Sequence, residues 1–410
     1  MSSTTNTSAP AASATPLTPP IADWVSVDEL LKDPYPSYAR LRAESPVAWV
    51  PAVNRYLVTT FAGCHTVDSD QELFTTEVTG PGALMRKSLG GTPMLRKDDP
   101  EHAVDRAVVN RLLRPRALRE AWLPKFEATA QTYIDRLREI GPDEANLDQD
   151  YASPVASQNM IDLLGLPDAT IDDMHRWSAS FMASTSNLAD DPDVWLSSEN
   201  SQAEINAALD EMIPYYRANP DSSIVSAFAN SDLPRENISA NINLAISGGM
   251  NEPQHTITTS VLALSQNPEQ LAAARADESV WGKIFEEAVR WISPIAMYPR
   301  MTTQDTVVEG YAVPKGSLIG VVIASANRDE AQFERPDTFD YARTGVAHMG
   351  FGNGVHLCAG QWAARLSIGE VAVPRLYESL PGLRVDDRRE VVFDGWVFRG
   401  ARKMPVTWDA

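Results

Sequence analysis

The sequence predicts a mainly α-helical protein with a minor β part, folded as one large domain. The pattern between Pro100 and Ser293 is mostly helical, interrupted by Pro and Gly. Short runs typical of strands lie on both sides of this region. The composition is even after about residue 24, with no linker-like stretch and no internal repeat. We expect a disordered tail over 1–22 and one domain over 23–410.

The N-terminal tail has no charged side chain and no bulky apolar block, and such a composition favours disorder. A secretory signal needs a basic start and an apolar centre, and both are missing. Beyond the tail we predict a helix near 37–44 and strands over 47–50 and 55–59. The stretch 74–97 is rich in Gly, Thr and Pro, which predicts a long loop covering a site.

The C-terminal part predicts a return of strands followed by one more helix. Strand-like runs lie at 307–313 and 318–325. A Gly-rich segment over 348–360 leads into a helix over 361–380. The run 391–408 is typical of β-hairpins.

Charge and cysteine content narrow the functional class. The chain has 35 Lys+Arg and 55 Asp+Glu, so its formal net charge is −20. This acidity argues against nucleic acid or an anionic membrane as the main partner. No run reaches the roughly 18 apolar residues of a membrane span. The two cysteines, Cys64 and Cys358, exclude a disulfide-rich scaffold and favour a reducing, cytoplasmic setting.

The segment around Cys358 carries the strongest chemical signal. It reads Phe-Gly-Asn-Gly-Val-His-Leu-Cys-Ala-Gly, from Phe351 to Gly360. Glycines permit a tight turn and let backbone N–H groups approach the sulfur, while a helix start favours thiolate over thiol. The pattern suits one anionic sulfur held rigidly as an iron ligand under a flat cofactor. A cysteine nucleophile with His356 as its base, or zinc held by His348, His356 and Cys358, are the alternatives.

This segment resembles the haem-binding signature of the cytochrome P450 family, F-x-x-G-x-H-x-C-x-G. The resemblance extends along the chain from about residue 24 and implies the cytochrome P450 fold. It also implies haem b (iron protoporphyrin IX) as cofactor. Cys358 would be the metal ligand, and Phe351 and Gly352 would lie against the cofactor.

Further motifs match the family in order. Glu287 and Arg290 match Glu-x-x-Arg, an i, i+3 pair that shares a helix face, and the resemblance adds Arg343 as a structural partner. His102 and Arg106 match His-x-x-x-Arg, a pattern that binds haem propionates. The resemblance extends the propionate-binding role to two further residues, Arg300 and His356.

The segment 244–256 resembles the long helix that crosses over the haem in this family. Glu252 matches the usual acid, but Pro253 stands where a threonine is expected. A proline inside a helix removes a hydrogen bond and costs about 3 kcal/mol. We expect Pro253 to open a groove for O2 in a kinked helix. Glu252, ordered water and Thr256 or His255 would then relay protons.

The Gly-Met-Asn-Glu-Pro-x-His run at 249–255 and the C-terminal run 395–408 are similar to bacterial guaiacol O-demethylases. The resemblance implies oxidative removal of a methyl group from guaiacol or a 4-alkylguaiacol, a lignin-derived aromatic. Formaldehyde and a catechol would be released. A bulky aromatic of those enzymes aligns with Thr185, which implies extra room for a ring substituent. The expected substrate contacts are Leu89, Met94, Leu95, Thr185, Leu244, Gly248, Ile295, Met297 and Phe398.

Electrons must come from a separate protein, because no flavin or dinucleotide fingerprint follows a strand in this chain. The resemblance implies an NADH-dependent reductase with flavin and iron–sulfur centres. Arg111, Arg114 and Arg116 are docking candidates, although a solvated helix end explains them equally well. Alternative functions are hydroxylation or demethylation of another small molecule, such as a methoxybenzoate or terpenoid, a non-catalytic haem sensor, and a cysteine hydrolase without haem.

Overall fold

The computed structural model describes residues 15–345 and 347–409, and within them the prediction of a mainly helical fold with a minor β part is confirmed. Two π-helical stretches, Asp148–Ala152 and Arg365–Ala372, adjoin α-helices. None of the helices in the described ranges combines the length and the apolar character that a membrane span requires.

The α-helices are α1 Val27–Lys32, α2 Tyr35–Glu44, α3 Phe61–Ser69, α4 Pro81–Leu89, α5 Glu101–Asn110, α6 Pro115–Ile140, α7 Ser153–Leu164, α8 Ile171–Thr185, α9 Pro192–Ala218, α10 Ile224–Ala229, α11 Arg235–Gly248, α12 Asn251–Gln266, α13 Pro268–Ala276, α14 Trp281–Trp291, α15 Ile323–Ala326, α16 Gln361–Ala364 and α17 Val373–Ser379.

Eleven short strands in the described ranges form one larger sheet and three two-stranded ribbons. The strands are β1 Val47–Val50, β2 Arg55–Val58, β3 Phe74–Thr75, β4 Tyr298–Thr302, β5 Thr306–Val308, β6 Tyr311–Val313, β7 Leu318–Val321, β8 Arg384–Val385, β9 Val392–Asp394, β10 Gly400–Lys403 and β11 Val406–Thr407. The larger sheet has the order β1-β2-β7-β4-β3, and the ribbons pair β5 with β6, β9 with β10 and β8 with β11. Only β2 and β7 run parallel, with Tyr56 opposite Ile319.

The chain joins the sheet earlier than the sequence predicts. The expected tail covers 1–22, of which 1–14 lie outside the described residues. Residues 15–22, however, pair with the body of the protein. Leu17 N donates to Gly310 O at 2.8 Å, and Ala22 N donates to Trp49 O at 2.8 Å. These backbone hydrogen bonds place the ordered boundary before residue 22.

Three predicted elements differ from the structure. The stretch 74–97 is not a continuous loop, because it contains β3, α4 and a 3₁₀ turn at Met94–Arg96. Its Gly and Pro residues lie at the beginnings and ends of these elements. Gly90, for example, caps the C-terminus of α4 with φ 68°. The run 307–313 is a hairpin of two strands that turns at Gly310, φ 81°. The run 318–325 is a strand only to Val321 and then enters α15.

Two hydrophobic clusters carry the helical part and meet near the join of α11 and α12. One cluster packs α12 against α14 and the π-helical stretch 365–372, through residues such as Val261 and Phe285. The other packs α11 against α4, α8 and α9, through residues such as Ile246 and Phe181. The join between α11 and α12 therefore connects the two clusters.

The predicted helix over 361–380 is present as α16, the π-helical stretch and α17.

Candidate functional site

Cys358 lies in a glycine-rich loop held against its own backbone. Gly352 and Gly354 have φ of 71° and 64°, a left-handed conformation that side chains disfavour. The loop closes where Cys358 N donates to Phe351 O at 2.9 Å. Gly360, two residues after the cysteine, precedes the first turn of α16. The loop therefore presents one sulfur in a fixed position.

The thiol of Cys358 needs a positive partner to ionise here. Burial raises its pKa, and the backbone N–H of Gly360 opposes that rise only in part. A metal cation deprotonates a coordinated thiol outright. The sulfur thus suits a metal ligand better than a free nucleophile. Both ring nitrogens of His348 are engaged elsewhere, because Nε2 lies 3.0 Å from Glu286 Oε2 and Nδ1 accepts from Gly350 N at 2.9 Å.

The described residues hold no group of three or more His, Cys, Asp or Glu that could bind a metal. The zinc alternative built on His348, His356 and Cys358 therefore lacks its ligand cluster. A single protein ligand, with the remaining positions supplied by a macrocycle, does not need such a cluster.

Aromatic rings and an ion pair pack against the cysteine loop at Phe351. The rings of Phe351 and Phe285 stack with centroids 6.1 Å apart, and the Arg365 guanidinium lies 4.5 Å over Phe351. Arg365 Nε donates to Glu286 Oε1 at 2.6 Å. This packing excludes water from one side of the loop and fixes Phe351.

Sequence reasoning missed Asp68, a buried carboxylate that joins three elements. Its Oδ2 accepts hydrogen bonds from Asn353 N at 2.6 Å and from Tyr298 OH at 2.8 Å. Its Oδ1 accepts one from Arg300 at 2.6 Å. A Cβ on Gly354 would lie 2.8 Å from the Asp68 carbonyl, so the loop crosses α3 closely. Asp68 thus ties α3 and β4 to the cysteine loop.

The structure brings Glu287, Arg290 and Arg343 together next to this loop. Arg290 makes two hydrogen bonds of 2.7 Å to Glu287, and Arg343 Nε lies 3.4 Å from Glu287 Oε1. Arg290 also donates to Asn327 O at 2.8 Å. Asn327 in turn accepts from Met349 N at 2.7 Å, at the start of the loop. The chain of contacts runs from α14 to the cysteine segment.

Basic side chains with free nitrogens gather beside the loop. The rings of His102 and His356 lie 4.2 Å apart, centroid to centroid. Within the described residues, His102 Nε2, His356 Nε2 and Arg96 Nε are buried without a hydrogen-bond partner, and Asp98 Oδ1 lies 3.9 Å from His356 Nε2. An unpaired buried polar group costs about 1–3 kcal/mol. The carboxylates of a haem would satisfy them, so these residues fit that group.

Arg96 is the second functional candidate that the sequence did not reveal. It is buried, and burial lowers its pKa to about 10, with Arg300 adding repulsion. A buried cation near another cation favours an anionic ligand. Of the four residues predicted to bind propionates, Arg300 is already paired with Asp68, while Arg106 donates to Leu357 O and to Asn110 Oδ1.

The segment 244–256 is a broken helix and not a kinked one. α11 ends at Gly248, and α12 begins at Asn251. Pro253 therefore lies in the first turn of α12, where backbone N–H groups have no intrahelical partner. The predicted interior-helix cost does not apply there. A Cβ on Gly249 would lie 2.5 Å from the Ala245 carbonyl oxygen, so close packing against backbone also favours glycine at the break.

The break combines an exposed backbone position with a buried acid. Gly248 is exposed, and a Cβ built there would meet no atom within 4 Å. Both carboxylate oxygens of Glu252 are buried without a partner in the described residues, and burial raises the pKa of Glu252 to about 8. The Thr256 hydroxyl donates to Glu252 O at 2.7 Å, so it remains available only as an acceptor.

The residues predicted to contact substrate divide into several groups. Leu89, Met94 and Leu244 belong to one hydrophobic cluster that also includes Ala359 of the cysteine loop. Ile295 and Phe398 pair through an isolated β-bridge. These two groups come from distant parts of the sequence.

The remaining nominees are placed differently. Met297, the residue before β4, is buried in a core cluster with Val50 and Leu57. Thr185 is half-buried at the end of α8, and its hydroxyl donates to Met182 O at 3.0 Å. Leu95 is half-buried within the 3₁₀ turn that also holds Arg96.

The predicted docking arginines lie on the surface. Arg111, Arg114 and Arg116 are exposed around the start of α6, and Arg116 pairs with Glu120 at 2.7 Å. The preceding helix, α5, reaches the cysteine loop through Arg106 and Leu357. The arginines therefore lie beyond the end of a helix that contacts the loop.

Comparisons with known proteins agree with this geometry. A family model described as Cytochrome P450 matches residues 217–371. The chain is 30% identical to cytochrome P450 107B1 of Saccharopolyspora erythraea, covering 92% of this chain and 96% of that protein. It is 30% identical to the vitamin D(3) 25-hydroxylase of Pseudonocardia autotrophica, covering 92% and 94%. The crystal structure of P450BioI with its acyl carrier protein shares the fold at a TM-score of 0.84 and 24% identity, covering 94% of this chain and 100% of that one.

Proposed function

The chain belongs to the cytochrome P450 family, and we propose that it is a monooxygenase that removes the methyl group from small methoxylated aromatics of the guaiacol or 4-alkylguaiacol type. Members of the family bind haem b and use O2 with electrons from a separate redox partner. For a methoxyphenol, O2, NADH and one proton, the balanced products are a catechol, formaldehyde, NAD⁺ and water.

One contact supports methoxylated aromatics as the substrate class. The two segments similar to guaiacol O-demethylases are 249–255 and 395–408, and they pack together at His255 and Gly400. A Cβ on Gly400 would lie 2.0 Å from His255 Cγ, so the ring rests directly on the glycine backbone. Phe398, two residues earlier, pairs with Ile295. The motif at the helix break and the C-terminal motif therefore support one shared site.

The haem would be held from two directions. Cys358 would ligate the iron, while Arg96, His102 and His356 would bind the propionates through their free nitrogens. When bound, the haem supplies the activation of O2 by two electrons. The loop contacts of Phe351 and Asp68 keep the sulfur fixed during turnover.

Near the break between α11 and α12, the chain would position the substrate and a proton. Met94 and Leu244, half-buried members of one apolar cluster, offer an apolar wall, and the exposed backbone at Gly248 admits a flat ring. Leu89 is fully buried in the same cluster and supports this wall. The Glu252 carboxyl, with a pKa of about 8, carries a proton at neutral pH and can donate it. Pro253 and the broken helix keep this acid beside the backbone opening.

A binding and product assay tests the function. Guaiacol, 4-alkylguaiacols, vanillate, 4-methoxybenzoate and vitamin D3 are titrated into the holoenzyme, and the low- to high-spin shift is recorded. We expect the methoxyphenols to give the tightest shift and, with a reductase and NADH, equal amounts of formaldehyde and catechol. A shift with vitamin D3 alone would favour hydroxylation of a larger apolar molecule. Haem without NADH-dependent turnover on any compound would favour a sensor.

A further inference from the structure

The segment 89–97 connects α4 to α5 and carries residues of both proposed halves of the site. Met94 belongs to the apolar wall, the fully buried Leu89 packs in the same cluster, and Arg96 is a propionate candidate. Gly91 in its middle packs on α11, since a Cβ there would lie 3.2 Å from Ala240 Cβ. The position of this segment therefore determines the distance between α11 and the substrate wall.

Two asparagines of α11 make hydrogen bonds to the backbone of the segment at Leu89 and at Met94. Asn243 Nδ2 donates to Leu89 O at 3.0 Å, and Asn241 Oδ1 accepts from Met94 N at 2.7 Å. Asn241 is 3% exposed and Asn243 is 1% exposed. Polar amides buried in a helix–loop interface are costly unless paired, and here their partners are backbone atoms of the segment.

A buried carboxylate fixes one of these asparagines. Asp105 of α5 is 1% exposed, and its Oδ2 accepts from Asn241 Nδ2 at 3.0 Å and from Lys97 Nζ at 2.6 Å. Lys97 is the last residue of the segment, so Asp105 anchors its far end as well. Asn237, one turn before Asn241, makes only a 3.5 Å contact to Asp105.

The Asn237 and Asn241 contacts, unlike that of Asn243, share a helix face with the proposed substrate site. Asn237, Asn241, Leu244 and Gly248 follow i, i+4, i+7 and i+11 spacing along α11, so they lie on one side of it. Any shift of the segment relative to Asn241 therefore changes the room next to Leu244 and Gly248.

We propose that Asp105, Asn241 and Asn243 form a loop clamp that holds segment 89–97 as a rigid wall and thereby limits the substrate to a small ring. These are positioning residues, since they act through Leu89 and Met94. The size limit concerns the same site as the proposed function. The identity of the natural substrate as a methoxylated aromatic rests on that proposed function.

The test uses the holoenzyme with Asn241→Ala and Asn243→Ala, and Asn237→Ala as the matched control on the same helix. Hydrogen exchange of the Met94 amide and of segment 90–97 reports on the clamp. The dissociation constants of imidazole and 4-phenylimidazole, read from the Soret shift, report on the size limit. Asn243 Oδ1 has no partner in the described residues, so Asn243→Ala loses a single hydrogen bond and keeps the test open if Asn241→Ala does not fold.

We expect exchange in 90–97 to rise about tenfold in both clamp variants and to stay near wild type in Asn237→Ala. In both clamp variants the dissociation constant of 4-phenylimidazole should fall about fivefold or more relative to that of imidazole. Unchanged exchange, or faster exchange with an unchanged ratio, overturns the proposal. Because these ligands bind any accessible haem iron, failure of every methoxyphenol to bind would remove the proposed function while leaving the clamp tested.

Discussion

Asp68 Oδ1 and Arg300 Nη2 lie 2.6 Å apart in an ion pair whose two side chains are buried. The same carboxylate accepts the backbone N–H of Asn353, so one charge connects β4 to the cysteine loop. The pair spans 232 residues of sequence. It joins the element that carries Arg300 to the loop that carries the sulfur.

Asp68→Asn is expected to weaken both connections. Removing one member of a buried ion pair costs about 3–5 kcal/mol, because the other charge is left uncompensated. Denaturant unfolding measures the loss, and the reduced carbonyl spectrum should show a smaller fraction of thiolate-ligated haem. Glu370→Gln, which breaks the exposed Arg119–Glu370 pair, should cost less than about 1 kcal/mol. Equal effects of the two substitutions would contradict a special role for Asp68.

Cys358→Ser should abolish the red-shifted Soret band of the reduced carbonyl adduct, because serine does not supply a thiolate. Cys64→Ser is the matched control, since Cys64 is buried with its sulfur near Val58 O. The control should keep the wild-type band. Retention of that band in Cys358→Ser would show that another residue ligates the iron.

Arg96→Leu should loosen the cofactor, because a propionate would lose a buried cation. We expect haem transfer to apomyoglobin to become at least about tenfold faster, which corresponds to roughly 1.4 kcal/mol. Arg111→Leu, at an exposed position, should transfer haem at the wild-type rate. Equal rates for the two variants would assign Arg96 a different partner.

Glu252→Gln should uncouple electron use from product formation, because a carboxamide cannot donate the proton that the acid carries at neutral pH. A positioned acid contributes about 10²–10⁴-fold to a proton-transfer step. The measurement is product formed per NADH consumed, together with peroxide release. The spin shift with substrate should remain, and an unchanged product ratio would exclude Glu252 from the relay.

Glu252 also predicts a pH dependence of stability. Its pKa of about 8 in the folded protein exceeds the roughly 4.3 of an exposed glutamate. The folded state therefore binds the proton more tightly, and this stabilisation is complete below about pH 4 and is lost as pH rises toward about 8. The free energy of unfolding of wild type minus that of Glu252→Gln should fall across this window. A difference that is flat or rises with pH contradicts a buried, protonated Glu252.

The cysteine loop was predictable because its information is local. The spacing of Gly352, Gly354 and Cys358 dictates the turn, and the i, i+3 spacing of Glu287 and Arg290 dictates their pairing. The mainly helical fold followed from periodicity in the same way. Such features depend on residues within one or two turns of each other.

Asp68 and Arg96 were missed for the opposite reason. The role of each residue depends on contacts with segments that are distant in the sequence. Arg96 also lies in a stretch whose content of Gly, Thr and Pro is typical of a loop. The helix break at Gly249 was read as a kink, because a pattern of apolar spacing does not show where backbone hydrogen bonds stop. Met297 and Leu89, both expected to contact substrate, are buried in core clusters, because an apolar side chain in the sequence looks the same in a core and in a pocket.

The contact between His255 and Gly400 means that these two positions cannot be varied independently. Any larger residue at position 400 would have to be accompanied by a smaller one at 255, since the imidazole occupies the volume that a methyl group would need. Randomising position 400 alone would mostly give side chains that overlap the imidazole, whereas a smaller residue at position 255 leaves the Gly400 backbone undisturbed. The order of substitution therefore matters, because position 255 has to shrink before position 400 can grow.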